Sequence, residues 1–166
     1  MYSKQRLYQI KLFFVYLLFF FSEEWVVRSS SLGEGLEKYL IDGSEETKLK
    51  TSDAAYPWIE LNLRRNYRIT KVAILTGDEP IMNLDVRIGK KAIHQGNVGQ
   101  TRFTANTRCQ MFYGPTLVPK QWIELDCGYS RGIAGNIMQL QMTERSVATS
   151  PLEITSIEIF GWGRTC

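Results

Sequence analysis

Tyr56-Pro57-Trp58-Ile59-Glu60-Leu61-Asn62-Leu63 is the stretch whose reading decides the fold. Ile59, Leu61 and Leu63 fall on one side of an extended chain, and Trp58, Glu60 and Asn62 fall on the other. That is the period-two pattern of a half-buried strand. Arg64-Arg65-Asn66-Tyr67 then turns the chain into a second strand, Arg68 to Thr76, with Ile69, Val72 and Ile74 toward the core. Gly77-Asp78-Glu79-Pro80 has the composition of a turn. Asn83 to Gly89 alternates again, with Leu84, Val86 and Ile88 in and Asn83, Asp85 and Arg87 out. Further strands are predicted at Gln121 to Cys127, at Ile137 to Thr143 (Met138, Leu140 and Met142 on one face) and at Leu152 to Phe160. In the last of these, Leu152 and Ile154 share a phase that Ile157 and Ile159 break, which places a β-bulge near Thr155-Ser156. Short strands at this spacing, with no amphipathic helices between them, predict an all-β sandwich rather than an α/β fold.

The remaining segments are less patterned. Ser29 to Gly35 reads as a flexible entry, Leu36 to Leu40 as one helical turn, and Ser44 to Ala55 as a polar loop. Residues Lys90 to Arg108 lack sustained periodicity and form the longest loop, a class of segment that is often functional or mobile.

With 166 residues, the chain has room for one ordinary domain and a short appendage. A hydrophobic share of 44% and a charged share of 22% are globular values, which argues against wholesale disorder. The formal charge of +3 is matched by Lys4, Arg6 and Lys11 alone, and no acidic residue precedes Glu23. The rest of the chain is therefore formally neutral, and nothing in it predicts a nucleic-acid partner. Ten uncharged residues, Leu12 to Phe21, follow the basic start and end at Ser22-Glu23-Glu24. This run is about half of what spans a bilayer and has the layout of a secretory signal peptide. Residues 1–28 are accordingly read as a leader, 29–163 as the domain and 164–166 as a C-terminal tail of a secreted, extracellular protein.

Secretion changes the reading of the cysteines. In an oxidising compartment Cys109 and Cys127 are natural partners, bracketing two turns and the Gln121 to Leu125 strand. Cys166 is left over; it is free, links two chains into a dimer, or displaces one of the other pairings. No Asn-x-Ser/Thr acceptor site occurs, so N-glycosylation is not expected.

Several landmarks, in order, resemble the discoidin or coagulation factor V/VIII type C domains, and among these the fucolectin (F-type lectin) branch. They are Ile41-Asp42-Gly43, the strand from Tyr56 to Leu63, and Asn83-Leu84-Asp85-Val86-Arg87-Ile88-Gly89. Asn106-Thr107-Arg108-Cys109 followed by Gly114-Pro115 and Cys127 is similar to the family's disulfide segment, and Ile154 to Gly161 to its closing strand. The resemblance spans about residues 29 to 163. It implies a jelly-roll-like, galactose-binding-domain-like antiparallel sandwich with ligand-binding loops at one end.

It also implies a sugar site built from a histidine and two basic residues, with Arg-x-Asp in the loop before the Asn83 strand. Here that loop is Gly77 to Met82 and holds no arginine, and Lys50-Thr51-Ser52-Asp53 holds no histidine. Only Asp78 matches, so the usual fucose-binding triad is not carried over. His94, the single histidine, reads as a solvated loop residue. The candidate ligand-binding loop residues are Lys50, Asp78, Glu79, Ile81, Met82, Phe112 and Tyr113. A calcium site is the one cofactor the resemblance implies, with Asp42, Ser44 and Thr51 as part of the donor set. Ser156 stands where the family has Glu, which leaves Glu158 as the nearest carboxylate.

Catalysis has little support: there is no metal-ligand spacing, and Glu45-Glu46 and Asp78-Glu79 read as solvated turns rather than a tuned pair. A non-catalytic binding module is expected, recognising a glycan or glycoprotein. A cell-surface or matrix protein, or a phospholipid met by Ile81-Met82 and Met111-Phe112-Tyr113, is the alternative, and a disulfide-linked structural protein is a further one.

Overall fold

The computed structural model describes Gln5–Arg6 and residues 25–94, 96–128, 131–143 and 150–163. The hydrophobic run of the leader, Cys166 and the rest of the 164–166 tail lie outside the described residues. Among the described residues of the domain there are nine strands: β1 (Val26–Ser29), β2 (Leu32–Glu34), β3 (Leu49–Thr51), β4 (Trp58–Thr76), β5 (Leu84–Gly89), β6 (Thr107–Phe112), β7 (Trp122–Asp126), β8 (Ile133–Met142) and β9 (Glu153–Gly163). A 3-10 helix, Glu37–Ile41, supplies the predicted helical turn. Gln5–Arg6 makes a two-residue antiparallel pairing with the end of β9. Among the described residues, no helix is long and apolar enough to cross a membrane.

Every pairing is antiparallel, in the order β2-β3-β9-β4-β8-β5-β6, with β1 and β7 also bonded to β4. The 19-residue β4 serves both layers of the sandwich. Its first half lies between β1 and β8, and its second half between β9 and β7. The change occurs where the ladder with β8 slips between Asn62 and Tyr67. There Arg64 has a φ of 65°, and its amide donates to Asn62 Oδ1 at 2.9 Å. Arg64 to Tyr67 is thus a bulge inside one long strand rather than a turn between two, because the ladder with β8 resumes at Tyr67 on the far side of the slip.

The inward phases read from the sequence hold. Ile59, Leu61 and Leu63 of β4, Leu84, Val86 and Ile88 of β5, and Met138, Leu140 and Met142 of β8 meet Ile69, Val72, Ile74, Ile157 and Ile159 in one buried cluster. Each such side chain contributes about 1.5–3 kcal/mol on burial. The register of β9 does slip between Ile154 and Ser156, as its broken phase required.

Two segments differ from expectation. Val26 to Arg28, assigned to the leader, lie in β1, and of the stretch assigned to a flexible entry Ser29 lies in β1 and Leu32 to Glu34 form β2. Val27 is in the core and Arg28 pairs with Glu60. The signal there is a single Val-Val pair, too short to show a period.

The loop after β5 is held in place. Glu60, Gln139 and Gln141 point away from the core, yet they are buried because residues 90–94 and 96–106 lie across them. Glu60 Oε2 accepts from the Ile93 amide at 2.7 Å and from Gln139 at 3.1 Å. Asn106 donates to Lys91 O and to Gln139, and Gln141 accepts from the Phe103 amide. Side-chain amides thus stand in for the strand that this irregular backbone lacks. Trp58 is buried beneath the same loop, edge-on to Phe103 at 5.9 Å. His94 is exposed on the loop's outer side.

The Cys109–Cys127 disulfide forms. It joins β6, at the edge of one layer, to the residue after β7, at the edge of the other.

Candidate functional site

One end of the sandwich gathers the loop before β3, the β4–β5 loop and the β6–β7 loop around the first residue of β9. Backbone bonds fix them together: Gly77 donates to Glu153 O at 3.1 Å, Lys120 to Gly77 O at 2.9 Å, and Thr116 to Ile81 O at 3.0 Å. Lys120 Nζ reaches Glu45 O at 3.1 Å, tying in the loop before β3.

A charged cluster sits at this end. Lys50 stands opposite Glu153 in the β3–β9 ladder, and Lys48 precedes it by two residues, on the same face. Lys48 Nζ lies 3.0 Å from Asp78 and 3.1 Å from Glu153; Lys50 Nζ lies 3.0 Å from Glu79 and 3.5 Å from Glu153. Asp78 foremost, then Glu153, holds the Lys48 ammonium well above the usual lysine range. Glu79 does the same for Lys50, with a smaller contribution from Glu153.

Glu153 is the unusual member. Its side chain is only 1% exposed. Oε1 accepts from the Asp78 amide at 2.8 Å, whereas Oε2 is buried with no hydrogen-bond partner. Its compensation is the Lys50 ammonium at 3.5 Å, an ion pair without a hydrogen bond, so the oxygen keeps acceptor capacity. The cluster sums to two ammonium groups and three carboxylates, so it offers both strong donors and strong acceptors at one opening.

Of the residues expected here, Lys50, Asp78 and Glu79 are brought together. Ile81 is not at a loop tip: it is fully buried, and its amide donates to Thr116 Oγ1 at 3.0 Å. Met82 is half-buried, and Phe112 packs against the core. Tyr113 is 70% exposed and continues into Leu117 and Val118, 84% and 59% exposed. Lys48 and Glu153 were missed, as were Leu117 and Val118. The available signal was the Lys48-x-Lys50 spacing and a glutamate lodged between Leu152 and Ile154.

The expected calcium donors do not share one coordination sphere. Asp42 accepts from the Ser44 amide and from Thr47 Oγ1, both at 2.8 Å, which makes it a turn-former. The Ser44 hydroxyl accepts from the Glu46 amide at 3.1 Å, and Thr51 Oγ1 is buried, accepting from the Leu152 amide at 2.9 Å. Glu158 faces outward beside Ala73, six residues and about 20 Å of strand beyond Leu152. These four residues therefore do not fit a calcium site. Among the described residues, no group of three or more His, Cys, Asp or Glu side chains could hold a metal ion.

No protein-family model and no curated protein matches the chain. Solved structures do. A serum fucolectin from Morone saxatilis (striped bass) aligns with a TM-score of 0.68 at 21% identity, over 85% of this chain and 46% of that one. The fold is a fucolectin fold. This chain spans just under half the length of that fucolectin. A fucose-binding module from Streptococcus pneumoniae aligns over 82% of this chain and 93% of its own, with a TM-score of 0.59 and 16% identity. A family 32 carbohydrate-binding module from C. perfringens, solved with galactose, covers the same shares at a TM-score of 0.58 and 12% identity. The fucolectin-like sandwich of this chain is thus shared with modules of very different sequence.

Proposed function

We propose that the chain is a secreted, non-catalytic carbohydrate-binding module whose sugar site is the loop end around Glu153. The observation that carries this reading is the buried Glu153 Oε2, which makes no hydrogen bond and meets only the Lys50 ammonium at 3.5 Å, in a cluster with Lys48, Asp78 and Glu79. A sugar hydroxyl donating to Oε2 satisfies that oxygen, while Lys50 Nζ donates to a neighbouring hydroxyl or ring oxygen. Vicinal hydroxyls suit such a site because each both donates and accepts. The structural neighbours support the ligand class, since fucose and galactose are what two of them bind. The Gly77 to Met82 loop holds no arginine and Lys50 to Asp53 no histidine, and the cations at this end are Lys48 and Lys50, so the sugar and its orientation differ from fucose in the usual pose.

A second reading has its own observation. Tyr113, Leu117 and Val118 form an exposed apolar tip next to the site, which favours a phospholipid surface or a cell-surface protein. The two readings separate on one experiment. The full chain, secreted and purified, is screened on a glycan array with calcium and with a chelator, and in parallel against neutral and anionic vesicles. Retention on glycans that Glu153→Gln weakens supports the first reading. Vesicle binding that Leu117→Ser abolishes, with no glycan retained, replaces it by the second.

A further inference from the structure

The layer built from β6, β5, β8, the first half of β4 and β1 has an outer face that the loop-end site does not use. Cross-strand register sets Arg108 of β6, Arg87 of β5, Gln139 of β8, Glu60 of β4 and Arg28 of β1 in one row. At ordinary strand spacing that row is about 19 Å long. A guanidinium stands at each end of it. The loop after β5 runs across the row: Lys91 O accepts from Gln139 at 2.9 Å, and the Ile93 amide donates to Glu60 at 2.7 Å. Its return segment passes Gln141, which accepts from the Phe103 amide and donates to Thr101 O at 2.8 Å. Lys90, Lys91 and Arg102 are thereby carried over the same face, and all three are exposed.

The charges on this face do not cancel. Between Asp85 and Glu124 the chain has no acidic residue. The outward positions of these strands hold two carboxylates, Asp85 and Glu60, and both are buried. Arg108 donates to both Asp85 oxygens at 2.9 Å and Arg87 to one of them at 3.0 Å, while Arg28 pairs with Glu60. Among the described residues, Lys90, Lys91 and Arg102 make no ion pair. Six cations against two carboxylates leave a surplus of four positive charges, and it lies on the solvent side.

We propose that this face is a docking track for a sulfated polysaccharide, separate from the loop-end site. The polysaccharide lies along the row, and its sulfates accept from Lys90, Lys91, Arg102 and the guanidinium edges that Arg28 and Arg108 leave to solvent. Such charge-assisted bonds to sulfate oxygens are the strong kind. Side-chain hydrogen bonds hold the loop, so its cations stand on backbone that is ordered before the ligand arrives, which lowers the cost of binding. The length of the row and its surplus charge suit an extended chain with several sulfates rather than one small anion. Other polyanions match the face less well. A single nucleic-acid strand uses exposed aromatic rings to stack its bases, and here Trp58 is buried with Phe103 packed against it. An anionic membrane favours cations beside apolar groups that can insert, and Val98 is the one exposed large apolar side chain of this loop among the described residues. The inference uses no residue of the loop-end site and does not depend on that reading.

The test applies the full chain to immobilised heparin and titrates it with a heparin hexasaccharide at low and at physiological salt. A triple variant, Lys90→Ala, Lys91→Ala and Arg102→Ala, changes exposed side chains that make no ion pair. A control, Lys38→Ala with Arg131→Ala, removes exposed positive charge elsewhere. Near-ultraviolet circular dichroism checks the fold of each, and Arg102→Ala alone serves should the triple variant not fold. Affinity for the hexasaccharide is expected to fall about tenfold in the triple variant and to stay within about twofold of wild type in the control. Wild-type binding should weaken with added salt. Retention on neutral glycans should be the same in the triple variant as in wild type, and Glu153→Gln should leave heparin affinity undiminished, so failure of one site is visible without the other. No retention on heparin at low salt overturns the proposal. So does an equal loss in the control, which would reduce the effect to overall charge. Tighter binding to anionic vesicles or to a single-stranded oligonucleotide, abolished in the triple variant, also overturns it and assigns the track to that partner.

Discussion

Glu153 occupies the space that a side chain at Gly77 would need. A β-carbon at residue 77 would collide with the Glu153 carboxylate and its Cγ, and the next amide, Asp78, donates to Glu153 Oε1 at 2.8 Å. The glycine thus lets the loop close over a buried carboxylate, which then sits between Lys48 and Lys50. Local backbone choice and the electrostatics of the loop end are one feature.

Gly77→Ala forces either that glutamate or the loop to move. Overpacking of this kind costs about 1–3 kcal/mol. A lowered urea midpoint is expected, together with weaker retention on glycans. Glu153→Gln keeps the shape but removes the charge facing Lys48 and Lys50, so it should lower the midpoint as well as the glycan affinity.

Reducing the Cys109–Cys127 bridge, or replacing both cysteines by serine, releases a link between residues 18 apart in sequence. About 3 kcal/mol of stability should be lost on the chain-entropy model. Denaturant midpoints with and without reductant measure this directly.

Glu60→Ala removes the acceptor for the Ile93 amide, for Gln139 and for Arg28. Buried donors left without partners cost about 1–3 kcal/mol; the Arg28 contribution is smaller because that side chain is 34% exposed. Amide hydrogen exchange should accelerate across residues 90–106 before it does in β4 or β8.

Lys48 and Lys50 both have pKa values raised by folding, from an ordinary value of 10.5. Such groups stabilise the fold fully below their unfolded pKa, and the contribution fades as pH rises through the folded one. Stability should be insensitive to these lysines from pH 7 to 9 and should fall above about pH 10.5. In the Lys48→Met, Lys50→Met variant that alkaline decline should be shallower, as read from urea midpoints against pH.

Much of the sandwich was legible because strands buried on one face write their phase into the chain. Ile59-x-Leu61-x-Leu63 and the slipped phase of Leu152, Ile154, Ile157 and Ile159 each had one reading. The continuity of β4 was hidden because its bulge, Arg64 to Asn66, has a turn's composition. Glu60, Gln139 and Gln141 read as solvent-facing because alternation reports only which side leaves the core. Whether a loop then covers that side depends on contacts far apart in sequence. Of the loop-end cluster, Lys50, Asp78 and Glu79 were found from turn composition and from the resemblance. Lys48 and Glu153 were missed, since only the β3–β9 register brings Glu153 opposite Lys50.

The most direct test is a two-dimensional amide NMR titration of the full chain with a neutral glycan retained on the array. Shifts concentrated at Lys48, Lys50, Asp78, Glu79 and Glu153, and abolished in Glu153→Gln, are the predicted result. A glycan that binds while those amides stay unmoved, or an array on which nothing is retained, would contradict a sugar site at the loop end.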